Sequence, residues 1–438
     1  MLTDLHVENF RVFDQEVHLR LRPITVLIGR NSAGKSSILK FLLMLQQSLG
    51  ANEGEFLAPE GDRVHLGAFA DLRNSVRKRR KLRFQLRFRT TDLPSRPERA
   101  MLDAVKSQTP TTDPITNKTE LRITVEDLRN QTMIEREEAD YTIDTTVSYS
   151  AKIGQKGSHS VKARMGDDVL FHQFTENLQT AQFLQFPIQA NDPVKSLKGF
   201  WTDRFLMPVR REISSWRHLS PIREESQRAI VTSSPPQDSV GQMGEYAMPH
   251  LQRIYNAKGT EADFVFRHMS EVAGVSSIRF ESSMKGYLAH AQGTNRLTNA
   301  ESYLSDFGFG VSQCLPIFVQ GVLMRENQLL MVEQPEAQLH PTAQLEMGSF
   351  FAELWSERKV MSLIETHSSQ IVLRLRRLVA NGSLSPNDVS LAYIHVSDDG
   401  MPAIKNLDIN DAGNLEKGLP MEFFGADITE GLHLRAKK

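Results

Sequence analysis

Ile24-Thr-Val-Leu-Ile-Gly29-Arg30-Asn31-Ser32-Ala33-Gly34-Lys35-Ser36-Ser37 decides the fold. Ile24 to Ile28 reads as a continuous apolar strand and Ile38-Leu-Lys-Phe-Leu-Leu-Met-Leu as a helix, so a G-x-x-x-x-G-K-[ST] loop joins a buried strand to a helix start. Gly29 and Gly34 let the backbone fold back so that consecutive N–H groups, from Asn31, Ser32 and Ala33 through to Ser37, face phosphate oxygens. Lys35 adds a point charge at the β/γ end, and Ser36 offers a hydroxyl to Mg²⁺. The positive end of the helix beginning near Lys35 adds to the attraction. The expected ligand is a nucleoside triphosphate with Mg²⁺.

Outward from this loop, Leu2 to Phe10 and Val12 to Leu21 alternate like paired strands. Leu82 to Phe88, Glu120 to Val125, Tyr141 to Ser150 and Ser158 to Arg164 alternate as antiparallel strands do. Thr90 to Lys118, with Pro and Thr residues and few apolar anchors, reads as a surface excursion. Val169 to Gly274 is mixed and largely helical, broken by a loop at Ser233-Ser-Pro-Pro-Gln-Asp-Ser. Val389 to Val396 alternates, with Asp398-Asp-Gly400 as the turn of a hairpin. Four segments follow: 1–90 with the loop, 91–168 as a β-lobe with the excursion, 169–300 as a mostly helical insertion, and 301–438 as the second half of the nucleotide-binding head.

The chain has 438 residues and a net charge of −1, which describes an ordinary globular protein and confines any nucleic-acid contact to a local patch. Cys314 is the single cysteine, so no intrachain disulfide is possible, and it reads as a small buried hydrophobe. The N-terminus lacks the basic start and apolar core of a secretion signal, and no apolar run approaches ~20 residues, which predicts a cytoplasmic chain without a membrane span.

Leu329-Leu-Met-Val-Glu333-Gln334-Pro335-Glu336 is an apolar strand ending in acid, the form of a Mg²⁺-anchoring carboxylate, and Glu333 is the candidate. Almost 300 residues separate it from Ser36, so a large insertion divides the site. Asp306-Phe-Gly308-Phe-Gly310-Val-Ser312-Gln313 predicts glycines and a serine just before a helix N-terminus, an anion-ready arrangement.

Asn9-Phe10-Arg11, the GRNSAGKSS loop, GFGVSQ, VEQPEAQLHP and IETHSSQ occur in the order found in ABC-superfamily ATPases, and the chain most resembles the AAA-type OLD-like branch. His218-Leu-Ser-Pro-Ile-Arg223, Gly241-Gln-Met-Gly-Glu245 and Leu419-Pro-Met-Glu-Phe-Phe424 resemble that branch too. The implied fold is α/β, an ABC-type P-loop ATPase head with an antiparallel β-lobe and a mostly helical insertion. The resemblance implies that Gly310, Ser312 and Gln313 form a signature segment touching the γ-phosphate held by an opposite subunit, so that two heads sandwich two ATP molecules. It places Gln338-Leu-His340-Pro341 in a dimer-contact loop, His367 as a switch histidine sensing the γ-phosphate, and Arg11 near the nucleotide.

Where many ABC proteins carry a water-activating glutamate, this chain has Gln334, which cannot accept the proton as a carboxylate can, so hydrolysis is expected to be slow. Two readings stay open: Glu336 takes the base role, or the protein is a latch that stays closed on ATP until triggered. Such ATPases recur in bacterial anti-phage defence paired with a separate effector, and they resemble the heads of SMC and RecF-like repair proteins. After His367 too little chain remains for the nuclease domain of OLD enzymes, so a separate effector, a nuclease, is expected alongside a homodimer or larger homo-oligomer. Arg77-Lys78-Arg79-Arg80-Lys81 could follow a DNA backbone, as in a DNA-clamping maintenance ATPase, or could be charged protection of an edge strand. A transporter subunit is disfavoured because the signature is not of the transporter form.

Overall fold

The computed structural model describes residues 1–50, 57–74, 81–90, 207–231, 237–283, 288–397, 399–416, 418 and 423–424, together with the strand backbone of 117–128, 131–143, 147–153, 159–165 and 168–175. Arg77, Lys78, Arg79 and Arg80 lie outside the described residues, as do 91–116 of the expected excursion, 233–236 of the expected loop and 419–422. Lys81 is described in its backbone alone. Two compact units emerge: Met1–His18 with Leu42–Ser214, and Leu19–Phe41 with Ser215–Lys438.

The first unit is built on an antiparallel sheet. Leu2–Glu8 pairs with Lys81–Thr90, which pairs with Asn117–Leu128, and the ladder continues through Gln131–Ile143, Val147–Ile153 and His159–Met165 to Asp168–Thr175. Leu82, Phe84, Leu86 and Phe88 are buried while Arg83 and Arg87 are exposed, the period-two pattern of a sheet with one face covered. The expected strand Tyr141 to Ser150 is in fact the end of one strand and the start of the next. Arg11 belongs to this unit, in a left-handed conformation (φ 51°), with its N–H donating to the Leu72 carbonyl (2.6 Å) and its carbonyl accepting from Asn74 Nδ2 (2.8 Å).

The second unit centres on a six-stranded sheet in the order Arg217–Leu219, Leu329–Glu333, Met361–Glu365, Ile24–Gly29, Val389–Val396, Pro402–Leu407. The first five strands are parallel and the last is antiparallel. Parallel strands covered on both faces must be apolar throughout, and every residue of Ile24–Gly29 and Met361–Glu365 is buried. The same reason corrects the expected alternation of Val389–Val396: its first six residues are all buried because it lies beside the loop strand inside the sheet. Helices Ala247–Ala257, Thr260–Ala273, Phe309–Leu323, Pro341–Arg358 and Ser369–Ala380 supply Leu251, Val265, Phe318, Phe350, Phe351 and Ile371 to one core with strand residues Val26, Val332 and Ile364. A smaller antiparallel sheet pairs Val275–Ser283 with Leu288–Asn295.

Candidate nucleotide and metal site

The parallel arrangement brings the C-terminal ends of Ile24–Gly29, Met361–Glu365 and Leu329–Glu333 side by side. Gly29 has φ 149°, and a Cβ there would stand 2.2 Å from the Ile394 carbonyl oxygen, so close strand approach requires glycine. Ser32 (φ 61°) and Gly34 (φ 113°) also take positive φ, which turns successive N–H groups toward one concavity. The residue Lys35 is 3% exposed, and its Nζ donates to the carbonyls of Gly29 (2.9 Å) and Arg30 (2.7 Å). Burial holds its pKa below the ordinary lysine value, against the pull of Glu365 and Glu336. The ammonium is thus clamped at the loop mouth with donor capacity left for a phosphate.

Ser36 Oγ donates to Glu365 Oε1 at 2.9 Å. Glu365 is 4% exposed, and burial first, then the charge of Glu333, push its carboxyl up to about 7. Glu333, its register partner on the adjacent strand, accepts from His218 Nε2 at 2.8 Å. Arg223 is buried and donates from Nη2 to the Glu333 carbonyl (2.6 Å) and from Nη1 to the Gln313 carbonyl (3.2 Å), with burial drawing its pKa down to about 10.

Gln334 leaves the strand in a left-handed conformation (φ 46°), with its N–H donating to the Glu365 carbonyl at 2.7 Å. Glu336 is occupied on both oxygens: Oε2 accepts from Thr366 Oγ1 and Oε1 from the His367 N–H, each at 2.7 Å. Burial raises its pKa in spite of these bonds. His367 lies next on the chain, exposed at the mouth, and desolvation followed by the charge of Lys35 lowers its pKa. His340 caps the helix Pro341–Arg358, its Nδ1 accepting from the Thr342 N–H at 3.3 Å.

The expectation that glycines and Ser312 precede a helix is corrected: the helix starts at Phe309, behind Gly308, and Gly310, Ser312 and Gln313 lie within it. Gly310 faces Gln338 and Leu339, where an added Cβ would be 3.2 Å from the Gln338 carbonyl oxygen. Ser312 is 5% exposed, and its Oγ donates to Ser226 Oγ (3.2 Å) and accepts from the Ser226 N–H (3.0 Å). Gln313 Nε2 donates to the Arg223 carbonyl at 3.1 Å. Cys314 is fully buried with its thiol pushed up to about 12, as a packing residue should be. On the helix Ser369–Ala380, Arg374 pairs with Glu346 (3.0 Å) and Arg376 donates to the Gly413 carbonyl (2.7 Å).

Sequence reasoning singled out Lys35, Ser36, Glu333, Gln334, Glu336 and His367, and all of them stand on this one unit. It missed Glu365, although the carboxylate ends an apolar strand directly before Thr366-His367, and it gave no role to His218, Arg223 or Ser226. Among the described residues no group of three or more His, Cys, Asp or Glu side chains is arranged to hold a metal by itself. Hydroxyl and carboxylate oxygens at the loop fit Mg²⁺, which takes one or two carboxylates and completes its shell with phosphate and water. The buried, partnerless Glu365 Oε2 is consistent with a cation there.

A family model described as an AAA ATPase domain matches residues 1–198 and 225–372. The OLD nuclease of Thermus scotoductus is 24% identical over 382 residues, covering 84% of this chain and 59% of that protein. The chain thus spans 59% of the length of this curated relative. Similar solved structures include the SMC head domain from Thermotoga maritima, at TM-score 0.38 and 11% identity over 93% of this chain and 99% of that one. An SMC head bound to the C-terminal winged-helix domain of ScpA gives TM-score 0.43 at 10% identity over 93% and 98% of the two chains. A head with an extended coiled coil bound to the C-terminal domain of ScpA, from Pyrococcus furiosus, gives 0.41 at 9% over 93% and 96%. No helix among the described residues is long and apolar enough to cross a membrane.

Proposed function

The chain belongs to the AAA ATPase domain family, and from that premise we propose that it is a slowly hydrolysing regulatory ATPase of an anti-phage defence system. ATP-bound heads pair, and the pairing controls a separate effector protein, a nuclease. An ATPase of this family binds ATP and a divalent metal. Mg²⁺ beside Ser36 and Glu333 would neutralise charge on the β- and γ-phosphates. The loop N–H groups and Lys35 hold the phosphates, and His367 donates from the mouth. Gly310, Ser312 and Gln313 serve the neighbouring head, which requires Ser312 to exchange its bond with Ser226 for one to phosphate.

One observation carries the slow-switch reading. Gln334 stands where a base is needed, and Glu336, the other candidate, has both oxygens engaged by Thr366 and His367. Glu336 therefore supports the switch loop, tied by one hydrogen bond on each oxygen to Thr366 and His367, while the Gln334 amide cannot take a proton from water. Gln334→Glu is expected to raise steady-state turnover by ~10² or more, the scale of a positioned general base. An unchanged rate would return the base role to Glu336, and a wild-type turnover near ~10 s⁻¹ would overturn the latch.

The run Arg77 to Lys81 favours a second reading, an SMC- or RecF-like ATPase that clamps DNA in repair or maintenance. DNA affinity that falls steeply with salt and vanishes when Arg77, Lys78, Arg79, Arg80 and Lys81 are neutralised would select it. Stable co-purification with an adjacent gene's product without DNA binding would select the effector controller.

A further inference from the structure

The acidic-strand motif supplies one carboxylate for the metal, but the sheet delivers another. Met361–Glu365 lies between the loop strand and the strand Leu329–Glu333, so parallel register sets Glu365 opposite Glu333 on one side and opposite Leu27 on the other. It is Glu365 that reaches the loop serine, with Ser36 Oγ donating to Oε1 at 2.9 Å. Glu333 Oε1 is turned to His218 Nε2, 2.8 Å away.

The remaining oxygen of Glu365, Oε2, is buried without a hydrogen-bond partner, in a residue only 4% exposed. A carboxylate kept for structure is satisfied on both oxygens, as Glu336 is by Thr366 and His367. A carboxylate oxygen withheld from water and given no donor is stabilised only by a cation or a proton. The Ser36 hydroxyl, having given its hydrogen to Glu365, presents lone pairs rather than a proton to whatever sits beside it. A serine lone pair and a carboxylate oxygen are the hard donors that Mg²⁺ takes.

We propose that Glu365, together with Ser36, anchors the divalent cation of the nucleotide, so that the metal is held by carboxylates from two adjacent strands and not by Glu333 alone. The inference rests on the reading of this chain as a Mg²⁺–ATP-binding protein. In this arrangement the strand leading to the switch residue His367 ends in a metal ligand. Arrival of the cation is then felt directly at the Thr366–His367 segment, which Glu336 ties to the end of the neighbouring strand.

The test uses the full chain with Mn²⁺ as the probe. Mn²⁺ binding is followed by electron paramagnetic resonance in the presence of a non-hydrolysable ATP analogue, and binding of a fluorescent ATP analogue is measured separately in EDTA. Glu365→Gln is expected to weaken Mn²⁺ binding by about tenfold or more while metal-free nucleotide affinity stays within about threefold, the scale on which lost metal-site groups act. Glu365→Asp, which keeps the charge but withdraws it by one methylene, is expected to fall between Gln and wild type, and it carries the test if Glu365→Gln fails to fold. Mn²⁺ affinity unchanged in both variants, a loss confined to Glu333→Gln, or an equal loss of metal-free nucleotide affinity would each overturn the proposal. A wild-type chain that binds no nucleotide would instead overturn the ATPase reading beneath it.

Discussion

Glu365 is unfavourable to bury, and its titration exposes that cost. Burial and the neighbouring Glu333 lift its carboxyl from the ordinary 4.5 to about 7. The folded chain therefore holds this proton more tightly than the unfolded chain, and stability falls as pH climbs from ~4.5 to ~7, with the penalty complete above that. At 1.36 kcal/mol per pH unit the penalty is about 3 kcal/mol. Metal-free Glu365→Gln should thus melt several degrees above wild type at pH 8, and the gap should close toward pH 4.5. Matching pH profiles of the melting temperature for the two proteins would refute the raised titration of Glu365. Lys35 and Ser36 stand out in the sequence through the spacing of one short loop, and Glu333 through the acid that ends a separate apolar strand. Glu365 does not, because its bond to Ser36 joins residues 329 positions apart.

Among the elements, the strand Ile24–Gly29 sets the position of the loop, and its last residue is the most constrained. Gly29→Ala would place a Cβ 2.2 Å from the Ile394 oxygen at a φ of 149° that L residues rarely adopt. The strained backbone alone costs on the order of 1–3 kcal/mol, and the neighbouring strand must also shift. The variant is expected to melt several degrees lower and to lose about tenfold or more in ATP affinity. Calorimetry and equilibrium nucleotide binding would measure both. The strands Ile24–Gly29 and Leu329–Glu333 could be read in sequence because continuous apolar runs mark burial on both faces. Val389–Val396 does form a hairpin with Pro402–Leu407, but burial of its first six residues replaces the expected alternation, and the helix Phe309–Leu323 begins ahead of Gly310 and Ser312. The edge strand Arg217–Leu219, three residues long, leaves no periodic signal at all.

For the whole molecule, ATP-dependent self-association is the property on which regulation would turn. Analytical ultracentrifugation with ATP and Mg²⁺ is expected to find heavier species for wild type than for Lys35→Ala, because removing the buried charge held at the loop carbonyls should weaken nucleotide binding by about 1.4 kcal/mol or more, a factor of ten. Equal association of the two proteins would disconnect the nucleotide from assembly. The amino-acid sequence by itself determined the nucleotide loop, the apolar strands of the parallel sheet, the antiparallel pattern of the other unit and the absence of a carboxylate at Gln334. Tertiary structure alone decided that Glu365 faces Ser36, that His218 and Arg223 hold Glu333, that Ser226 covers Ser312 and that Glu336 is tied to Thr366 and His367. The physical reason is that periodicity and spacing encode which backbone a segment adopts. Which carboxylate remains unpartnered depends on strand order, and strand order is settled by long-range packing of the core.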